Sequence, residues 1–132
     1  MEAGPSVYNR WVKQCDFPVL GANIIEKATG RPYLKPYEVI ERDGVKVVVL
    51  GMITPAVPSW LPEQLWPGLH FEDMETCAAK WVRTIRETEH PDVLVGLFHA
   101  GPEGNRLDNV VGKCFGGRST EGAGIRCRVY GT

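Results

Sequence analysis

Histidine is scarce in these 132 residues, with three copies, and none of the four cysteines stands in a C-x-x-C pair. A cysteine-based zinc knuckle needs such a pair, so its absence argues against one. No apolar run is long enough to cross a bilayer. Net charge is only −1, which leaves no electrostatic footprint for a nucleic-acid duplex or an anionic membrane. There is no P-loop and no G-x-G-x-x-G, and no Ser–His–Asp or Cys–His nucleophile set can be nominated. The first residues, Met1-Glu2-Ala3-Gly4, lack the basic and apolar regions of a signal peptide, so the chain as written is expected in the cytoplasm.

What remains is an ordinary globular composition, 43% hydrophobic and 23% charged, in a length that suits one domain with a modest core. Cys15 and Cys77 fall on apolar helix faces, where a free cysteine acts as a small hydrophobe. Cys114 and Cys127 lie in the tail.

The pattern along the chain is that of an α/β protein. Pro5 to Cys15 reads as a helix with Pro at its first position and an apolar stripe of Tyr8, Trp11, Val12 and Cys15. Phe17 to Ile25 reads as a buried strand, and Thr29-Gly30-Arg31-Pro32 as a turn. Two strand patterns, Tyr37 to Arg42 and Val45 to Ile53, flank Asp43-Gly44, a strong hairpin signal. The second arm is apolar on both faces and belongs inside a sheet. Four prolines between Thr54 and Leu69 predict irregular structure, with Trp60 and Trp66 pinning the loop to the body or lining a groove. Asp73 to about Glu89 is the clearest helix, with a stripe of Met74, Cys77, Ala78, Trp81, Val82 and Ile85. His90-Pro91 stops it, and Val93 to Phe98 follows as a strand. Strand, helix, strand in that order predicts a partly parallel sheet.

That last strand delivers His99 into the turn Ala100-Gly101 at its carboxyl end. Ligands and metals gather at this edge in open α/β sheets. His99 there suits a metal or a phosphate, or it simply caps the strand and hydrogen-bonds a loop. His70 reads as a surface residue of a strand-like stretch, and His90 as a helix-end residue beside the dipole. Asn23 lies near a strand end and reads as a turn former or a ligand contact. Asn105 and Arg106 follow His99 in a polar loop that could face a substrate.

After Asn109 the pattern changes. Residues 112–132 are dense in Gly, Arg and Cys and keep neither period 2 nor period 3.6. Permissible codons for this stretch, read one base later, can give ENASVAEARRVPGFDVVFMG and then begin a His. That string has a helix, a turn and an apolar strand, the elements an α/β domain needs next. The expectation is one domain over 1–111 and an irregular tail over 112–132 that is a frameshift product.

Four stretches resemble the calcineurin-like metallophosphoesterases of the bacterial 5'-nucleotidase and 2',3'-cyclic-nucleotide 2'-phosphodiesterase type. Phe17-Pro18-Val19-Leu20-Gly21-Ala22-Asn23-Ile24 is similar to that family's "FPVLxANI" strand. Lys35-Pro36-Tyr37 through Val47 is similar to its "kPYxixexxGxKV" hairpin, and Leu50 to Pro55 to its "lGxxTP". Phe98-His99-Ala100-Gly101 is similar to its "sHxG" element. The resemblance implies an α/β fold, a partial sandwich with a mixed sheet and flanking helices, truncated at both ends. It implies two divalent metal ions roughly 3.5–4 Å apart, which activate water and clamp phosphate oxygens. The family's ligands come from D-x-H, G-D, G-N-H-[DE], H-x-G and G-H-x-H motifs. Only His99 carries over as a metal ligand. Glu2-Ala3-Gly4 resembles the residues immediately after G-N-H-[DE], so the first three motifs are expected upstream of Met1, and the shifted frame would recover Met-Gly-His downstream.

The resemblance therefore implies a portion of an enzyme that hydrolyses phosphate esters of nucleotides, inactive as the isolated chain. The residues that bind substrate are unassigned, and such parent enzymes are often exported. The alternatives are a non-catalytic α/β module that binds a nucleotide or a protein, with self-association through exposed sheet edges, and a remnant without function.

Overall fold

The computed structural model describes residues 4–100 and the backbone of Ile125–Cys127. The first helix, α1 (Pro5–Gln14), begins with Pro at its first turn, as expected. None of its residues is buried, and Trp11 is 53% exposed. Its apolar stripe thus faces a cleft rather than a closed core, and Cys15, just past the helix end, is half-buried and free.

The expected strand over Phe17 to Ile25 is largely absent. Only β1 (Ile24–Glu26) is extended and paired, and Phe17 lies 59% exposed. Pro18 lacks a ladder donor, and the chain is held instead by single bonds to different segments. The Gly21 N–H donates to the Lys35 carbonyl at 2.9 Å and the Ala22 N–H to the Gly51 carbonyl at 2.8 Å. Residues 21–25 are nevertheless buried.

The hairpin forms as read. Strands β2 (Tyr37–Arg42) and β3 (Val45–Ile53) pair antiparallel, with Arg42 opposite Val45. Asp43 and Gly44 both take positive φ, 52° and 79°, the geometry that a two-residue turn matched to strand twist requires. The proline-rich stretch is not wholly irregular. It holds the short helix α2 (Val57–Trp60), with Pro58 tolerated in its first turn, and a 3-10 turn over Glu63–Leu65. Trp66 pins this stretch: its indole N–H donates to the Leu61 carbonyl at 2.9 Å, and its ring meets Phe71 edge-on at 5.9 Å. The strand β4 (Leu69–Phe71) then pairs antiparallel with β1.

Helix α3 (Met74–Thr88) is capped by Asp73, whose carboxylate accepts the Thr76 N–H at 2.9 Å. Strand β5 (Val93–His99) returns parallel to β3, pairing Val47 with Val93 through Ile53 with His99. The βαβ unit read from the sequence is therefore present. The backbone of β6 (Ile125–Cys127) pairs parallel with β5, giving a mixed sheet in the order β2-β3-β5-β6. The rest of the 112–132 tail, with its frameshift reading, lies outside the described residues, as do Asn105 and Arg106.

Helix α3 packs on one sheet face. Val48, Leu50, Met52 and Leu94 meet Met74, Cys77, Ala78 and Ile85 there. A second cluster of Ile24, Val57, Leu69 and Phe71 fills the space under the proline-rich stretch. Each large aliphatic side chain so buried stabilises by roughly 1.5–3 kcal/mol before entropy is counted. No helix among the described residues is long and apolar enough to cross a membrane.

Candidate functional site

His99 is the last residue of β5 and stands at the carboxyl edge of the sheet. Its ring is exposed, but its backbone is anchored. The Thr54 N–H, just past β3, donates to the His99 carbonyl at 2.9 Å. Thr54 is 3% exposed, and its hydroxyl accepts the Ala56 N–H at 3.2 Å, which turns the chain into α2.

Beside His99 opens a cleft of about 500 Å³. Ile53, Thr54 and Val57 lie on one wall, Tyr8 and Trp11 of α1 on another, and Trp60 at its margin. The cleft falls within the volume range of ligand sites, roughly 300–1,000 Å³. Its lining is mostly apolar, and its polar side chains are His99, Thr54 and Tyr8. Burial holds the Tyr8 phenol above its usual pKa, helped by the Tyr33 and Cys15 anionic forms nearby. Tyr8 and Trp11 pack tilted with ring centroids 6.1 Å apart.

The other two histidines stand elsewhere. His70 is an exposed residue of β4 opposite Ile25. His90 follows α3 with a left-handed φ of 49° and lines a separate polar cleft with Arg42, Lys46 and Asp92 at the amino ends of β3 and β5. Six steps of β5 separate that end from His99, about 20 Å of strand. No three His, Cys, Asp or Glu side chains gather among the described residues as an ion would require.

Cys77 and Asn23 are both buried within the fold. Cys77 is 1% exposed, and burial, reinforced by the Glu72 charge, pushes its thiol up to about 12. It is a core residue, not a nucleophile. Asn23 stands in a turn, as read, with the Ile24 N–H donating to the Gly21 carbonyl at 3.3 Å across it. It is fully buried, and its amide nitrogen donates to the Ile53 carbonyl at 2.7 Å and the Glu72 carbonyl at 3.1 Å. Its amide oxygen accepts the Ile53 N–H at 3.0 Å. The buried polar side chain within an otherwise apolar run was the signal available in the sequence.

No protein-family model matches the chain. A Vibrio cholerae 5'-nucleotidase is 31% identical over 86 residues, covering 65% of this chain and 16% of that protein. A Haemophilus influenzae 2',3'-cyclic-nucleotide 2'-phosphodiesterase/3'-nucleotidase is 27% identical over 100 residues, covering 69% of this chain and 15% of that protein. Among solved structures, the calcineurin-like phosphoesterase YfkN from Bacillus subtilis superposes with a TM-score of 0.67 at 25% identity, covering 77% of this chain and 33% of that one. The chain thus spans about a sixth of the length of the curated relatives it matches.

Proposed function

Starting from a chain that, over about 70% of its length, matches part of the calcineurin-like phosphoesterase and 5'-nucleotidase family, we propose that it forms part of a phosphoesterase domain acting on nucleotides. His99 is its metal-ligating residue in this reading. The observation that carries the reading is the position of His99 at the carboxyl edge of β5, its backbone bonded to Thr54. An exposed imidazole at such an edge is a good ligand for divalent first-row metals.

The described residues do not fit a complete two-metal centre. They bring one imidazole and no carboxylate to the cleft, whereas such centres need several hard oxygen and imidazole donors. The remaining ligands must come from residues beyond the described ones, and the isolated chain is expected to be inactive toward AMP, 2',3'-cyclic AMP and p-nitrophenyl phosphate. Nucleotide esters are the proposed substrates because they are what the matched relatives are named for.

A second reading is favoured by the uncovered face of α1. Trp11 and Val7 stand exposed beside Trp60 around the apolar cleft, as in a non-catalytic module that binds a polypeptide.

Sequencing the locus separates the two. In-frame D-x-H, G-D and G-N-H-[DE] codons upstream of Met1, with a one-base slip near Gly112 leading to G-H-x-H, support the enzyme reading. Flanks without these motifs in any frame overturn it and leave the binding module.

A further inference from the structure

We infer that Asn23 is the positioning residue of the His99 site: its buried amide fixes the last residue of β3, and through it the hydrogen bond that holds the His99 backbone. Near this end β2 no longer pairs with β3, because β2 begins at Tyr37 opposite Leu50. The segment before β1 takes over the vacated side. The Ala22 N–H reaches the Gly51 carbonyl at 2.8 Å, and the Asn23 side chain then bonds both backbone groups of Ile53. A side-chain amide here stands in for the peptide of a missing neighbouring strand.

Successive peptide groups of a strand point to alternate sides. Ile53 therefore faces Asn23, and Thr54 faces β5, where its N–H meets the His99 carbonyl at 2.9 Å. Holding Ile53 from one side sets Thr54 on the other. The same amide also binds the Glu72 carbonyl at 3.1 Å, and the Asn23 carbonyl accepts the Glu72 N–H at 2.9 Å, which ties the start of α3 to the same point.

Only an amide of this length satisfies the set, because it supplies two donors and one acceptor. An aspartate would set a charge against two carbonyls, and an alanine would take the Asn23 partner from three half-buried backbone groups of Ile53 and Glu72. The inference deepens the reading of His99 as a ligand and rests on it for its catalytic meaning, but its structural content is independent of metal.

The test therefore uses the full chain without added metal. Amide hydrogen exchange at Thr54 and the imidazole carbon–proton signals of His99, His70 and His90 are recorded for wild type, Asn23→Ala, Asn23→Ser and Leu69→Ala. Leu69 is 6% exposed in the neighbouring cluster, so its truncation supplies a destabilised control without touching Asn23. At matched stability, Asn23→Ala is expected to speed Thr54 exchange at least roughly tenfold relative to Leu69→Ala, the factor for one lost buried hydrogen bond. The His99 signal should move while His70 and His90 hold still, and Asn23→Ser should fall between.

If the alanine variant does not fold, Asn23→Ser, which keeps one hydroxyl donor and acceptor, is compared with Leu69→Ala in its place. The inference is overturned if Leu69→Ala disturbs Thr54 and His99 as much as Asn23→Ala does, or if all Asn23 variants leave both unmoved. Flanks of the locus without the remaining ligand motifs would instead count against the ligand reading alone.

Discussion

The Tyr37 hydroxyl donates to a Glu89 carboxylate oxygen at 2.9 Å, while its ring meets Trp81 edge-on at 5.8 Å. One side chain thus ties the first residue of β2 to the end of α3. Burial, then the hydrogen bond to Glu89, holds the Tyr37 pKa above its ordinary value of 10.0. A raised folded-state value means that the folded chain keeps this proton more tightly than the unfolded chain does. The contribution is complete below about pH 10 and is lost as pH rises through the folded value. Tyr37→Phe should cost about 1 kcal/mol at neutral pH and flatten the alkaline limb of stability above pH 10. Urea denaturation across pH 7–11 checks both.

Gly51 has no room for a side chain. A Cβ there would stand 2.2 Å from Leu20 Cβ and 3.3 Å from the Leu20 backbone. The crossing of Leu20 over β3 brings Ala22 and Asn23 into reach of the strand. Gly51→Ala should therefore destabilise by roughly 1–3 kcal/mol or more, where the same change at Gly30, whose Cβ would meet nothing within 4 Å, is limited to the strain of its φ of +66°. Chemical denaturation of the two variants makes the comparison.

Removing the cap of α3 by Asp73→Ala should cost about 1 kcal/mol. It strips acceptors from the Thr76 N–H and the Thr76 hydroxyl, both bonded at 2.9 Å. Thermal denaturation should show a lower Tm with little change at His99.

The cysteines should differ sharply in reactivity. Cys77, 1% exposed with its thiol pushed up to about 12, should resist iodoacetamide at pH 8 until the chain unfolds. Cys15, half-buried past the end of α1, should be labelled in the folded state. Peptide mapping of the modified sites after a short pulse reads the order directly.

The hairpin, α3 and β5 were legible because their signals are local. Asp43-Gly44 encodes its own turn, the stripe from Met74 to Ile85 encodes its own face, and both agree with the packing found. The segment from Phe17 to Ile25 was misread because its partners are distant. Asn23 binds Ile53, 30 residues away, and Glu72, 49 away, and no periodicity announces such a clasp. The helical turns around Pro58 and Glu63 are too short to leave a repeat. The position of His99 at a strand edge was readable, whereas the apolar cleft beside it needs α1 and α2 brought together in space.

The most direct test of His99 is a graft. Residues 4–100 of this chain replace the aligned segment of the Vibrio cholerae 5'-nucleotidase, which is 31% identical over 86 residues, and AMP hydrolysis is measured with Mn²⁺ alongside His99→Ala in the same graft. If His99 ligates the metal, the graft hydrolyses AMP and His99→Ala lowers kcat/KM by about a hundredfold or more, at least what losing a supporting partner of a metal site costs. A folded graft in which His99→Ala leaves kcat/KM unchanged would contradict the assignment.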